Sequence, residues 1–264
     1  MVGELKGQDK CPCNSEKEYQ NCCKSIISRI SSTAYKQDYI LNDFIKGSKE
    51  FDNYFKDAEK SLKKPIFWGS LPPKTPNHIK IREFTSANGN HIIAFKNIPP
   101  KDITPSILAH EIEHIVLKDN SYPYVIISKI NSSFINSMLQ DPLIYNKLEN
   151  VGFDAISDFN NNLDKLLNEC GFPEKPKPQP TDYYEAVKWI LTYSQIILIN
   201  KNLSKSNLSN FEKLFCPFYK KISERTKSLI TDVEKIGYKN PIGQEEVIKL
   251  LNKNYNLNID YNIL

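Results

Sequence analysis

The stretch His110-Glu111-Ile112-Glu113-His114 constrains this chain more than any other. It reads H-E-x-x-H inside a run, Thr104 to Leu117, with the pattern of a helix. A helix turns once in 3.6 residues, so histidines four apart share a face and aim two imidazoles at one point. Thr104 suits the cap before such a helix and Pro105 its first turn. Leu108, Ile112 and Ile115 form an i, i+4, i+7 apolar stripe that buries one side. His110, Glu111 and His114 then face a cleft, with Glu111 close enough to reach a water on the same ion. Glu113 is read as facing solvent, although it is also available to orient a histidine. Two nitrogen ligands beside a carboxylate suit zinc hydrolysis, in which the ion lowers the pKa of its water to roughly 7 and the carboxylate takes the proton.

Upstream, Ile79 to Ser86 and His91 to Phe95 read as two strands about Ala87-Asn88-Gly89-Asn90, and Asn-Gly is a strong hairpin signal. A sheet edge followed by an H-E-x-x-H helix resembles the zincin metallopeptidases. The resemblance implies a catalytic zinc on His110 and His114, with Glu111 as general base. No histidine follows His114, so the third ligand is expected to be a carboxylate or another oxygen. Asp141, Glu149, Asp154 and Asp158 are the candidates. The segment Phe134 to Pro142 lies where gluzincins carry their second metal helix, with the pattern N-E-x-x-x-D. Asn136 and Asp141 keep that spacing, while Ser137 stands at the position of the ligand glutamate. Asp141 is therefore favoured, either as the ligand itself or as a residue orienting a histidine. In the second case Glu149 is the next choice of ligand. Tyr183, Tyr184, Tyr193 and Arg225 are candidates for stabilising an oxyanion.

The chain has six cysteines, and four crowd into Cys11, Cys13, Cys22 and Cys23, a C-x-C-x8-C-C pattern. Four thiolates at this spacing can close a tetrahedral structural zinc site. The segment is too short to hold a core, so metal binding would supply its folding energy. CPCNSEKEYQNCC resembles the SEC-C motif through its four cysteines and Pro12, Ser15, Lys17 and Tyr19. Asn14 and Glu16 stand where that motif usually has glycine. The resemblance implies a docking or recruitment module. Cys170 and Cys216 are read as ordinary buried thiols.

A length of 264 residues with 40% hydrophobic content permits one large domain or two small ones. The net charge of +4 is mild and carries no nucleic-acid signature. Met1 to Lys10 lacks the apolar core of a signal peptide, and no apolar run reaches membrane-spanning length. With clustered cysteines of metal-site spacing, this predicts a cytoplasmic protein. The abundance of Lys, Asn and Ile suggests an A/T-rich bacterial or phage genome. The span from Cys22 to Leu62 reads as amphipathic helix, divided near Gly47. Lys63 to Pro76 reads as a loop, with Phe67 and Trp68 as core residues. Downstream, helices are expected over Val125 to Leu139, Pro142 to Gly152, Phe153 to Cys170, Asp182 to Asn202 with Thr181 as cap, 208–236 with a break at Pro217, and Gln244 to Asn254. EKPKPQP, residues 174–180, reads as an exposed extended segment.

The expected fold is α+β and mostly helical. It comprises a zinc module over residues 1–25, a zincin-like domain with a short antiparallel sheet over 26–173, and a helical region over 181–264. The expected function is that of a cytoplasmic zinc metallopeptidase with two zinc ions, one catalytic and one structural, acting on a protein or peptide and recruited to a protein partner through the first module. The alternatives are a metal-dependent hydrolase of a small amide or ester and a non-catalytic metal-binding interaction protein.

Overall fold

The computed structural model describes residues 3–13, 15–28, 31, 33–85, 89–203 and 207–264. Asn14, Ser86, Ala87 and Asn88, which carry part of the first module and the hairpin turn, lie outside them. The fold is α+β and mostly helical, and the chain divides into two compact units, Met1–Asn120 and Ser121–Leu264.

In the first unit, a single 3-10 turn at Tyr19–Asn21 precedes α1 (Lys24–Ile27), β1 (Ala34–Tyr35), α2 (Gln37–Gly47) and α3 (Lys49–Ser61). The expectation of unbroken helical character from Cys22 is corrected here, because β1 intervenes. Gly47 does end α2, and the Ser48 hydroxyl starts α3 by accepting from the Phe51 amide at 3.1 Å. The span read as a loop contains a strand, β2 (Ile66–Ser70), and all of its residues from Ile66 to Gly69 are buried. Its prolines lie outside the strand itself, and its bulky side chains, Phe67 and Trp68, are core residues as expected. Strands β3 (Ile81–Thr85) and β4 (His91–Phe95) form the antiparallel pair expected from the Asn-Gly signal, with Thr85 opposite His91. The four strands run in the order β1-β2-β4-β3. The β2–β4 pair is parallel, so the sheet is mixed and β3 is at its edge among the described residues. Helix α4 (Pro105–Asp119) follows, with the Thr104 hydroxyl accepting from the Ile107 amide at 3.3 Å.

The second unit begins with β5 (Tyr124–Ile127), where a helix was expected. Asn136 accounts for the difference: its side chain accepts from the Val125 amide at 2.7 Å and donates to the Val125 carbonyl at 3.0 Å, holding the segment extended. Helix α5 (Ser133–Asn150) then runs through Pro142, which was expected to separate two helices. Proline removes one helical hydrogen bond. Burial of Ile135, Met138, Leu139, Ile144, Tyr145 and Leu148 on both sides of it offsets that loss. Helices α6 (Ala155–Glu169), α7 (Tyr183–Asn200), α8 (Leu208–Phe218), α9 (Lys220–Ile236) and α10 (Pro241–Tyr255) complete the helical packing, and β6 (Asp260–Asn262) returns to pair with β5. The cap of α7 is Asp182, which accepts from the Glu185 amide at 2.8 Å, and not Thr181. Residues 174–180 are neither helix nor strand, and the Tyr219 hydroxyl donates to the Lys177 carbonyl at 2.9 Å. No helix among the described residues is long and apolar enough to cross a membrane.

Candidate metal centres

From Leu108 to Asp119, α4 presents only three residues that are not buried: His110, Glu111 and His114. Leu108, Ile112 and Ile115, the expected stripe, are fully buried. The remaining positions of this stretch are filled by Ala109, Val116, Leu117 and three buried charged residues, Glu113, Lys118 and Asp119. Each of the three charged residues is bonded to another element. The Tyr54 hydroxyl on α3 lies 2.9 Å from Glu113 Oε2 and 3.0 Å from the Ala109 carbonyl. Lys118 pairs with Glu83 on β3. Asp119 Oδ1 lies 2.9 Å from His91 Nε2 on β4, and Asp119 Oδ2 accepts from the Lys63 amide at 2.7 Å. Glu113 is thus not the solvent-facing residue expected from the sequence. The tyrosine that holds it is distant in sequence and had no local signal.

The histidine rings of the open face have centroids 4.9 Å apart and planes 75° apart. A donor nitrogen of each lies within 4.8 Å of the other. A tetrahedral ion at a Zn–N distance of about 2.0–2.1 Å needs nitrogens about 3.3 Å apart, within reach of small ring rotations. Glu111 Oε2 accepts from the Glu83 amide at 3.1 Å. That amide points away from β4 at the sheet edge, so β3 holds the motif carboxylate beside the two imidazoles. Burial pushes the Glu83 carboxyl up, but the charges of Lys118, His114 and His91 outweigh it and hold the group below the ordinary carboxylate range. Burial also pushes Asp119 up, and its hydrogen bond to His91 leads the effects that bring it below its ordinary value.

The carboxylates weighed as third ligand belong to the second unit. Asp141 is buried in the middle of α5, and its Oδ2 accepts from Gln195 Nε2 of α7 at 2.6 Å. Glu149 is half-buried in the last turn of the same helix. Asp154 is spent as the cap of α6, accepting from the Ser157 amide at 3.1 Å, and Asp158 sits in the first turn of that helix. Of the four, Asp141 alone is buried. Among the oxyanion candidates, the Tyr193 hydroxyl is committed to Glu212 Oε1 at 2.6 Å and touches Cys216 Sγ at 3.1 Å. Tyr183 and Arg225 border a hollow of about 280 Å³ with Asp232 and Tyr255.

The four N-terminal thiols converge. Cys13 Sγ lies 3.4 Å from both Cys11 and Cys22, and Cys22 lies 3.7 Å from Cys23. All four sulfurs fall within 4.8 Å of one another, and none is in a disulfide. Zinc–sulfur bonds of about 2.3 Å in a tetrahedron require sulfurs about 3.8 Å apart. Burial pushes the Cys11 and Cys23 thiols up. Burial also pushes Cys13 up, but its hydrogen bonds with Ser15, Cys11 and Cys22 outweigh that and bring its thiol down to about 6. Glu16, where the SEC-C pattern has glycine, adopts φ of 62°, the left-handed region glycine prefers. Cys11 and Cys23 are buried together with Tyr19, Ile27, Ala34, Phe67 and Ile92, so the module packs onto β1, β2 and β4.

Within the first unit, the described residues therefore offer the four thiols as the donors of one metal site, and the His110 and His114 imidazoles as two donors of a second. Comparison with protein families, curated proteins and solved structures finds no match.

Proposed function

We propose that the chain is a zinc-dependent metallopeptidase of zincin type, acting in a reducing, cytoplasmic compartment and recruited through a SEC-C-like module. The observation that carries this reading is the face of α4. Along a segment otherwise buried, the open positions are the two histidines and the adjacent glutamate. His110 and His114 would hold the ion with Asp141 as the third ligand, and Cys11, Cys13, Cys22 and Cys23 would hold a second, structural ion. Bound zinc supplies Lewis-acid chemistry, polarising a carbonyl and acidifying water.

Glu111 takes the proton from the attacking water and passes it to the leaving amine, the role of a single carboxylate working first as base and then as acid. Its bond to the Glu83 amide keeps it on the sheet side of the histidines. Edge strand β3 favours a peptide over a small amide, because an extended chain can pair with those outward backbone groups of the strand that Glu111 does not occupy.

The test is metal content per chain, followed by cleavage of a random-sequence quenched peptide library. The wild type is expected to carry two zinc ions. His110→Ala and Asp141→Ala should each lose one, and Cys11→Ser with Cys22→Ser the other. Glu111→Gln should keep both ions and lose at least about 10²-fold in cleavage rate. If His110→Ala loses no metal, the catalytic-site reading fails. If Asp141→Ala keeps its zinc while Glu149→Ala loses it, the third ligand is Glu149.

A further inference from the structure

The Glu83–Lys118 pair lies beside the histidine motif and has no role in the reading above. Lys118 stands one helical turn beyond His114, on the side of α4 that meets β3. Glu83 Oε1 accepts from Lys118, while the Glu83 amide donates to Glu111 Oε2 at 3.1 Å. One residue of the edge strand thus touches both the motif carboxylate and the helix turn below His114. The second oxygen, Glu83 Oε2, is buried and has no hydrogen-bond partner among the described residues. Leaving such an oxygen unpaired is costly, so it marks a place where another donor is called for. The nearby groups that act on this carboxylate electrostatically are Lys118, His114 and His91. Lys118 is already bonded through Oε1, and His91 has both ring nitrogens engaged, with Asp119 at 2.9 Å and Thr85 at 3.2 Å. That leaves His114.

We propose that Glu83 is a positioning residue for His114: when the ion is bound, the ring N–H of His114 that faces away from it donates to Glu83 Oε2. Lys118 holds the carboxylate in register with the ring. Such an outer carboxylate fixes the tautomer and orientation of a ligating imidazole, and its loss costs about 10–100-fold in metal affinity. The proposal rests on the zinc-site reading, and its test separates the two.

Cobalt(II) is titrated into the full chain, where the thiol site and the histidine site are distinguished by their spectra, since only the former has sulfur-to-metal charge transfer. Glu83→Ala and the double variant Glu83→Met/Lys118→Met are compared with wild type. Replacing a buried ion pair by apolar side chains of similar size commonly preserves folding, so the double variant covers the case in which the single one unfolds. Both are expected to bind cobalt about 10–100-fold more weakly at the histidine site, with the thiol site unchanged as internal reference. A double variant that binds like wild type at the histidine site overturns the positioning role and leaves the zinc site standing. A wild type that binds cobalt only through its thiols overturns the zinc-site reading, and the positioning role with it. The zinc-loaded wild type offers a check that needs no variant: the His114 ring N–H should exchange slowly and resonate downfield. A rapidly exchanging proton there overturns the proposal.

Discussion

At the scale of single residues, the first unit is organised by buried charges that each have a specific partner. Asp119 is the clearest case for a measurement. Its folded pKa lies below the ordinary aspartate value, through its bonds to His91 and the Lys63 amide against the opposing effect of burial. A depressed carboxylate contributes stability that is fully present above its unfolded value of about 3.9 and is lost as pH falls through the folded one. Wild type and Asp119→Asn compared by urea denaturation should therefore differ most near neutral pH and converge in acid. Curves that stay parallel below about pH 4 would show that Asp119 is not linked to folding. Single residues were also where the sequence was least informative. His91, Glu83, Lys118 and Tyr54 had no motif to announce them, because each acquires its role only when another element brings a partner to it. At Glu16 the sequence showed only a departure from the usual glycine and left the backbone there open. A position that favours glycine in the motif carries a local backbone demand, and the chain meets it with φ of 62°.

At the scale of elements, local chemistry fixed some boundaries and tertiary packing overrode others. The start of α4 was readable because its cap and its proline act within one turn. Thr104→Ala should cost about 1 kcal/mol in denaturant stability, and cobalt affinity at the histidine site should stay near wild type, since the motif lies well inside the helix. A large loss of affinity instead would mean that the first turn itself shapes the site. Strand β2 was missed because a proline-rich neighbourhood reads as a loop, whereas its own residues are the buried centre of the sheet. Strand β5 was missed because its apolar run is short enough to suit helix or strand, and the Asn136 side chain decides between them. Pro142 misled in the other direction: one lost hydrogen bond does not stop a helix that is buried on both sides of it. The candidate site itself was the most legible part, since H-E-x-x-H and C-x-C-x8-C-C carry their geometry in their spacing.

At the scale of the whole chain, the two compact units differ in what their stability is expected to depend on. The thiol module shares a buried cluster with β1, β2 and β4, so loss of its ion should be felt through the sheet and not only in the N-terminal segment. Hydrogen exchange after removal of metal with a strong chelator should show lost protection over Cys11–Ile27 and along β1 and β2. The packing of α7 against α9 in the second unit should stay protected, as it contains none of the four N-terminal thiols. Protection unchanged throughout would mean that the module folds without an ion.

The burial pattern of α4 also bears on how this chain can change over generations. Nine of the twelve positions 108–119 are interior, counting Leu108, Ala109, Ile112, Glu113, Ile115, Val116, Leu117, Lys118 and Asp119. The other three are the histidines and the glutamate. Ordinary helices carry a solvent side where substitutions accumulate at little cost. Here that side consists of the three residues of the proposed site, so on the proposed function a substitution anywhere in this segment carries a cost, and drift is absorbed elsewhere in the chain.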